Sequence, residues 1–292
     1  MISEMKYILL SMRPNQWVKN IFIFAGLIFS HNLLDVYLLL RVTAGFGLFC
    51  LAASSIYIFN DIKDLERDKE HPDKFKRPLA AGYLKVNKAY GASVVLGTVA
   101  LLGAMLLDLT FFLILAGYVL MNLAYTMKIK EIVILDVFCI ASGFVFRVLA
   151  GTLLANVKPS DWLIICTITI SIFLGFSKRR HELTLFGANA DNQRKVLAEY
   201  SINFLDQMIS VATACTLMSY ALYTISDETV ARFGTKNLIF TIPFVIYGIY
   251  RYLYLIHQKK MGGNPTSALL ADFPLFLNGL LWLVVIIIVI YY

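Results

Sequence analysis

"LLWLVVIIIVI", residues 280–290, decides the fold class. An unbroken apolar run of this kind suits a helix surrounded by lipid. It does not suit a transmembrane strand, which alternates apolar and polar residues over about ten positions. A helix satisfies its backbone groups internally, as hydrocarbon demands, and about 20 apolar residues cover the bilayer core. With that ruler nine stretches qualify: roughly 17–33, 38–59, 87–107, 110–127, 132–155, 160–177, 203–225, 237–257 and 273–291. The sequence predicts an all-α integral membrane protein with about nine transmembrane helices, forming one polytopic domain over 1–292. Motif loops are expected at 60–86, 128–131, 178–202 and 258–272.

Composition agrees. The 292 residues are 59% hydrophobic and 15% charged, with a mean hydropathy of +0.72, whereas a soluble domain carries about 25% charged residues. "MISEMKYILLSMRPNQWVKN" (1–20) has an acidic residue and an early proline and lacks a small-residue cleavage site. No cleavable signal is expected, and the internal spans would direct insertion. Cys50, Cys139, Cys166 and Cys215 sit in apolar runs without a CxxC, as small hydrophobes do. The histidines form no HExxH. The chain has no GxGxxG and no Walker loop, which argues against those nucleotide folds. No nucleic-acid partner is expected, and oligomeric state stays open.

Basic residues orient the spans. Of the 26 Lys and Arg, four fall in one set of loops (Arg41, Lys158, Arg232 and Lys236) and Arg147 falls inside a span. All the others, Arg194 and Lys260 included, fall in the opposite set. This predicts a cytoplasmic N-terminus, cytoplasmic motif loops and an outside C-terminus in the inner membrane.

The densest polar stretch is "NDIKDLERDKEHPDKFKRPLAAG" (60–82). Asn60, Asp64 and Asp68 recur every four residues, on one helical face, with Asp61 on an adjacent line. Like charges so spaced repel, and a divalent cation would relieve them. Mg²⁺ prefers oxygen ligands and commonly joins one or two carboxylates to phosphates. The other reading is a solvated helix end, since Lys63, Arg67 and Lys69 are interleaved. His71-Pro72 should end the helix. Lys74, Lys76 and Arg77 follow, and carboxylates for metal beside cations for phosphate describe a diphosphate site.

Further polar groups fall on the same expected side. "RPNQWVKN" (13–20) brings Arg13, Gln16 and Lys19. "YTMKIK" (125–130) brings Tyr125, Lys128 and Lys130, and "SKRRHEL" (177–183) brings Lys178, Arg179 and Glu182. Asp136 opens the fifth span, and Arg147 lies well inside it. An ionisable group that deep is a functional candidate, or else a structural partner of a buried carboxylate or of helix carbonyls. Lys178-Arg179-Arg180 also reads as a set of stop-transfer charges.

At these residues the chain resembles the UbiA superfamily of intramembrane prenyltransferases. Its first acidic motif, NDxxDxxxD, is matched by Asn60, Asp61, Asp64 and Asp68. The resemblance implies nine transmembrane helices around a central cavity. It is strongest to the polyprenyl-phosphate (decaprenyl-phosphate type) phosphoribosyltransferase branch, through 13–20, 60–82, 125–130, "LDVFCIASGFVFRVLAG" (135–151), 177–183 and "YRYLYLIHQKKMGGNPTSALLAD" (250–272). Aromatic prenyltransferases carry a second DxxxD after the sixth span. Here "KRRHEL" stands instead, with Glu182 its one acidic residue. For Asp272 helix capping is the default expectation.

That branch implies transfer of 5-phosphoribose from 5-phosphoribosyl 1-diphosphate (PRPP) to a polyprenyl phosphate, releasing diphosphate, for a cell-wall or glycan precursor. Asn60, Asp64 and Asp68, with Asp61, would hold Mg²⁺. Lys74 and Arg77 would hold the diphosphate or the 5-phosphate. Lys19, Lys128, Lys130, Lys178 and Arg179 would serve the remaining phosphates, with Arg13, Gln16, Tyr125 and Arg147 also substrate-binding candidates. Asp136 and Glu182 would orient ribose hydroxyls, a basic side chain or the metal. The runner-up is an aromatic or lipid prenyltransferase using an allylic diphosphate. A transporter of an anionic substrate is a remote third.

Overall fold

The computed structural model describes residues 2–30, 33–186, 195–259, 268–269 and 271–291. Parts of the expected loops 178–202 and 258–272, with Arg194 and Lys260, lie outside the described residues. The described regular structure is helical throughout. Its α-helices are α1 (Ile2–Ser11), α2 (Ala25–Ile28), α3 (Val36–Lys63), α4 (Leu65–Glu70), α5 (Val86–Leu107), α6 (Leu109–Met127), α7 (Leu135–Leu154), α8 (Asp161–Phe186), α9 (Ile202–Ile225), α10 (Asp227–Phe233), α11 (Ile242–Gln258) and α12 (Phe273–Tyr291). Among the described residues, eight helices are long and apolar enough to cross a membrane. They match the expected spans from the second to the ninth.

The expected first span is built differently. Pro14–Phe24 is a 3₁₀ helix, and α2 adds a single turn. Close packing explains why this segment stays tight against α7. A Cβ on Gly151 would stand 1.8 Å from the Ile23 carbonyl oxygen, and one on Gly26 would stand 2.7 Å from the Thr152 Cα. Only glycine permits such an approach of one backbone to another. A second difference is at 178, where a loop was expected. Helix α8 runs on to Phe186, because Arg179 is fully buried and bonds Glu182 at 2.5 Å one turn later, so the polar residues extend the helix.

The chain divides into two compact units. The first comprises Met1–Cys139 and Gly143–Lys158. Here α3 packs along α5 and α6. Ser55 Oγ donates to the Ser93 carbonyl at 2.7 Å and Ser93 Oγ to the Ser55 carbonyl at 2.8 Å. Reciprocal bonds between small residues are a common way to hold helices where lipid offers no competing donor. The core includes Ile23, Leu27, Phe49, Phe111, Leu115 and Leu154. At the end of α3 remote from Asp64, Arg41 bonds Asp108 at 2.7 Å and Asn156 at 3.0 Å, while Asp108 caps α6. At the motif end, Met12, Ile58, Leu79, Leu84 and Ala89 form a smaller cluster. It seats the loop that follows Pro72.

The second unit comprises Ile140–Ser142 and Pro159–Tyr292. Helix α8 packs on α9, and α11 on α12. Trp282 Nε1 donates to the Tyr220 hydroxyl at 2.9 Å, and that hydroxyl pairs with Thr241 Oγ1 at 2.7 Å. Asp272 caps α12, accepting from the Leu275 amide at 2.9 Å, as expected. Arg251 grips the same carboxylate through Nε at 3.1 Å and an η nitrogen at 2.9 Å. That grip holds the Asp272 pKa below its ordinary value.

Candidate active site

Helix α3 ends at Lys63, Asp64 stands at the junction, and α4 resumes at Leu65. The Asp64 amide bonds the Asn60 carbonyl at 2.9 Å, and the Asp68 amide bonds the Asp64 carbonyl at 2.8 Å. The four-residue spacing of Asn60, Asp64 and Asp68 therefore survives the break. His71 is extended before Pro72 and ends α4, since α geometry is disfavoured before proline.

His71 also shapes the next turn. Its Nδ1 accepts from the amides of Asp73 at 3.1 Å and Lys74 at 3.3 Å. Burial lowers its pKa below the ordinary value, and the Lys74 charge adds to this. The folded state thus favours neutral imidazole. Stability from this group is fully present above the unfolded value of about 6.5. It is lost as pH falls through the lower folded value. Taking the protein from pH 7 to pH 5 should lower its melting temperature more than it does for His71→Asn, whose amide oxygen accepts without titrating. Equal slopes would contradict this.

The acidic ladder is met by the chain's own cations. Arg13 bonds Asp61 Oδ1. Arg77 reaches the same oxygen at 3.0 Å and Asp68 Oδ2 at 2.5 Å. Lys130 Nζ bonds Asp64 Oδ1 at 2.6 Å, and Asn60 Nδ2 bonds Asp64 Oδ2 at 2.9 Å. The repulsion expected to need a divalent cation is already relieved, by residues 9 to 66 positions away in sequence. Asp61 Oδ2 is buried and has no hydrogen-bond partner among the described residues.

One of these cations, Arg13, has left-handed backbone, and a strained turn follows the segment that carries Lys130. Arg13 has φ 54° and ψ 63° and lies against the Tyr57 ring, 5.3 Å from its centroid. Four residues after Lys130, Ile134 has φ 70° and ψ −46°. The Leu135 amide closes a three-residue turn on the Val133 carbonyl at 2.8 Å. Such a γ-turn is rare and strained, and positive φ at a β-branched residue is unusual. Strain of this kind collects at functional sites.

The other expected residues are placed as follows. Gln16 and Lys19 are half-buried on the 3₁₀ segment, Lys74 is half-buried in the loop, Tyr125 is half-buried near the end of α6, and Lys128 is exposed just after it. Asp136 is fully buried in the first turn of α7. Arg147 is 5% exposed. Its Nε donates to Asn20 Oδ1 at 2.7 Å, and its η nitrogens donate to the Gly143 carbonyl at 2.7 Å and the Tyr118 hydroxyl at 3.0 Å. Its guanidinium lies 4.8 Å from the Tyr118 centroid and 5.7 Å from that of Phe49. All three acceptors are neutral. In the second unit, Glu182 is held by Arg179 at 2.5 Å and approached by Lys178 at 3.9 Å. Arg180 pairs with Asp206 at 2.5 Å.

Sequence reasoning gave no role to Asn20, Tyr57, Tyr118 or Asp206. A carboxamide beginning an apolar run was a usable signal for Asn20. So was a lone carboxylate near the start of a span for Asp206. Nothing in spacing points to the two tyrosines.

The sequence matches the UbiA prenyltransferase family over residues 20–278. The chain belongs to that family. Among its relatives is the decaprenyl-phosphate phosphoribosyltransferase of Corynebacterium glutamicum, 31% identical over 96% of this chain and 86% of the relative. Its namesake in Mycobacterium tuberculosis is 30% identical over 94% of this chain and 90% of the relative. The solved structure of a UbiA homolog from Archaeoglobus fulgidus bound to GPP and Mg²⁺ superimposes with a TM-score of 0.75, at 17% identity, over 98% of this chain and all of that one. A structure of digeranylgeranylglyceryl phosphate synthase gives 0.69 at 20% identity over the whole of both chains. This UbiA-family chain is thus a multi-pass membrane protein.

Proposed function

We propose that this UbiA-family transferase moves 5-phosphoribose from PRPP to a polyprenyl phosphate of the decaprenyl type and releases diphosphate. The observation that carries the reading is the end of α8. Its last ten residues contain one carboxylate, Glu182, already tied to Arg179 and Lys178. That is a poor second metal site, and its cations suit a highly phosphorylated donor. The names of the relatives point the same way.

The residues present suit a hard divalent cation. Asp61 Oδ2 is a buried oxygen without a partner, and Asn60, Asp64 and Asp68 add oxygens of the type Mg²⁺ prefers. Mg²⁺ bound there would neutralise charge building on the leaving diphosphate. Lys74 and Arg77 would hold that diphosphate or the 5-phosphate. Lys19, Lys128, Lys130 and Lys178, with Arg13, would face the remaining phosphates, that of the acceptor included. Asp136 and Glu182 would orient ribose hydroxyls or basic side chains. Gln16 and Tyr125 would contribute neutral polar contacts.

The reaction then needs little proton transfer. A phosphate oxygen of the acceptor attacks C1 of the ribose. The C1–O bond to diphosphate breaks and its electron pair leaves with the diphosphate. Preorganised cations favour that charge-separated state over the ground state. The polyprenyl chain would lie in lipid with its phosphate at the interface, and the bias of basic residues supports a site on the cytoplasmic side of the inner membrane. The purified protein, offered labelled PRPP with polyprenyl phosphate or labelled prenyl diphosphate with an aromatic acceptor, should turn over only the first pair. Turnover of only the second would replace this reading with the aromatic prenyltransferase one.

A further inference from the structure

We infer that Arg13, together with Arg77 and Lys130, fixes the order of binding: the ladder accepts a divalent cation only along with a diphosphate group. The inference rests on reading the ladder as a metal–diphosphate site, and it deepens that reading.

The argument begins with charge. Asp61, Asp64 and Asp68 carry three negative charges, and Arg13, Arg77 and Lys130 carry three positive ones within direct contact. The cluster is electrically balanced. A bare divalent cation approaching it gains no net attraction and meets three fixed cations. Burial sharpens this, because the side chains of Asp61 and Lys130 are only 2% and 8% exposed. Charges so shielded from water interact more strongly than surface pairs do.

A diphosphate changes the balance. Its oxygens are better partners for arginine than a shared carboxylate oxygen, because the guanidinium fork matches phosphate geometry. Arg13 shares the single oxygen Asp61 Oδ1 with Arg77, whose closer partner is Asp68 Oδ2 at 2.5 Å, so among the described residues Arg13 holds no carboxylate oxygen to itself. Asp61 Oδ2 meanwhile stays buried and unbonded. If the cations turn to phosphate, the carboxylates are released to the metal in the same step. Arg13 is the residue best placed to turn. It sits in a left-handed conformation at the start of the 3₁₀ segment, a geometry that persists only while its contacts hold it.

The test uses the full-length protein in detergent, with Mn²⁺ as the metal and inorganic diphosphate as the anion. Free Mn²⁺ is followed by its electron paramagnetic resonance signal. The wild type should bind Mn²⁺ weakly alone and at least about tenfold more tightly with diphosphate, a coupling of ordinary size for linked ligands. Arg13→Gln should bind bare Mn²⁺ about tenfold more tightly than wild type and lose most of the coupling. Arg13→Lys keeps the charge without the fork, so it should bind bare Mn²⁺ as weakly as the wild type but show only part of the coupling. Lys130→Gln probes the same balance through Asp64, should Arg13→Gln lower the melting temperature. Equal Mn²⁺ affinity with and without diphosphate in the wild type overturns the ordering while leaving the metal site standing. Absence of Mn²⁺ binding in every arm overturns the metal reading itself, and with it the ordering.

Discussion

Asp64→Ala should abolish turnover, with a loss of roughly a thousandfold or more, the scale on which removing one preorganised electrostatic group acts. Asp64 joins α3 to α4, and its amide bond to Asn60 does not involve the side chain. The helix junction should therefore form without the carboxylate. What disappears is the oxygen proposed for the metal, and the partner of Lys130. Asp64→Asn separates the two effects, since it keeps the size and polarity of the group but not its charge. Both variants should reach the membrane and elute from size exclusion like the wild type. Near-normal turnover of Asp64→Ala at saturating Mg²⁺ would remove Asp64 from the metal site.

Arg147→Met should chiefly cost stability. Methionine roughly fills the volume but leaves Asn20 Oδ1 and the Tyr118 hydroxyl without this donor, while the Gly143 carbonyl keeps its helical bond within α7. Each buried polar group so abandoned costs about 1–3 kcal/mol. The combined loss should be about 2 kcal/mol or more on that scale, visible as a drop of several degrees in melting temperature. Because Asn20 lies on the same 3₁₀ segment that Arg13 opens, activity should fall in parallel with stability. Arg147→Lys keeps the charge but not the three-way fork and should fall between. An unchanged melting temperature for Arg147→Met would contradict the clamp.

The membrane helices were legible because hydrocarbon imposes length and composition on each span independently of its neighbours. The second to ninth spans follow from hydropathy alone. The first did not, because its 3₁₀ form depends on Gly26 and Gly151 meeting backbone across a tertiary contact. The ladder's spacing was legible for a similar reason: i, i+4 geometry is local. Its partners were not. Arg13 lies 48 residues from Asp61 and Lys130 lies 66 from Asp64, so only folding brings them together. The charge pattern showed which side of the chain was polar, but not that the cations already neutralise the acids. Arg147 was legible as costly, and the structure supplies the neutral acceptors and rings that make its burial tolerable.

The most direct test of phosphoribosyl transfer is the lipid product. The purified protein is incubated with Mg²⁺, ribose-labelled PRPP and polyprenyl phosphate, and the organic extract is analysed by mass spectrometry. Phosphoribosyl transfer predicts a labelled lipid heavier than the acceptor by one phosphoribosyl group, with one diphosphate released per lipid. An unlabelled extract, alongside prenylation of an aromatic or lipid acceptor from a prenyl diphosphate, would contradict it.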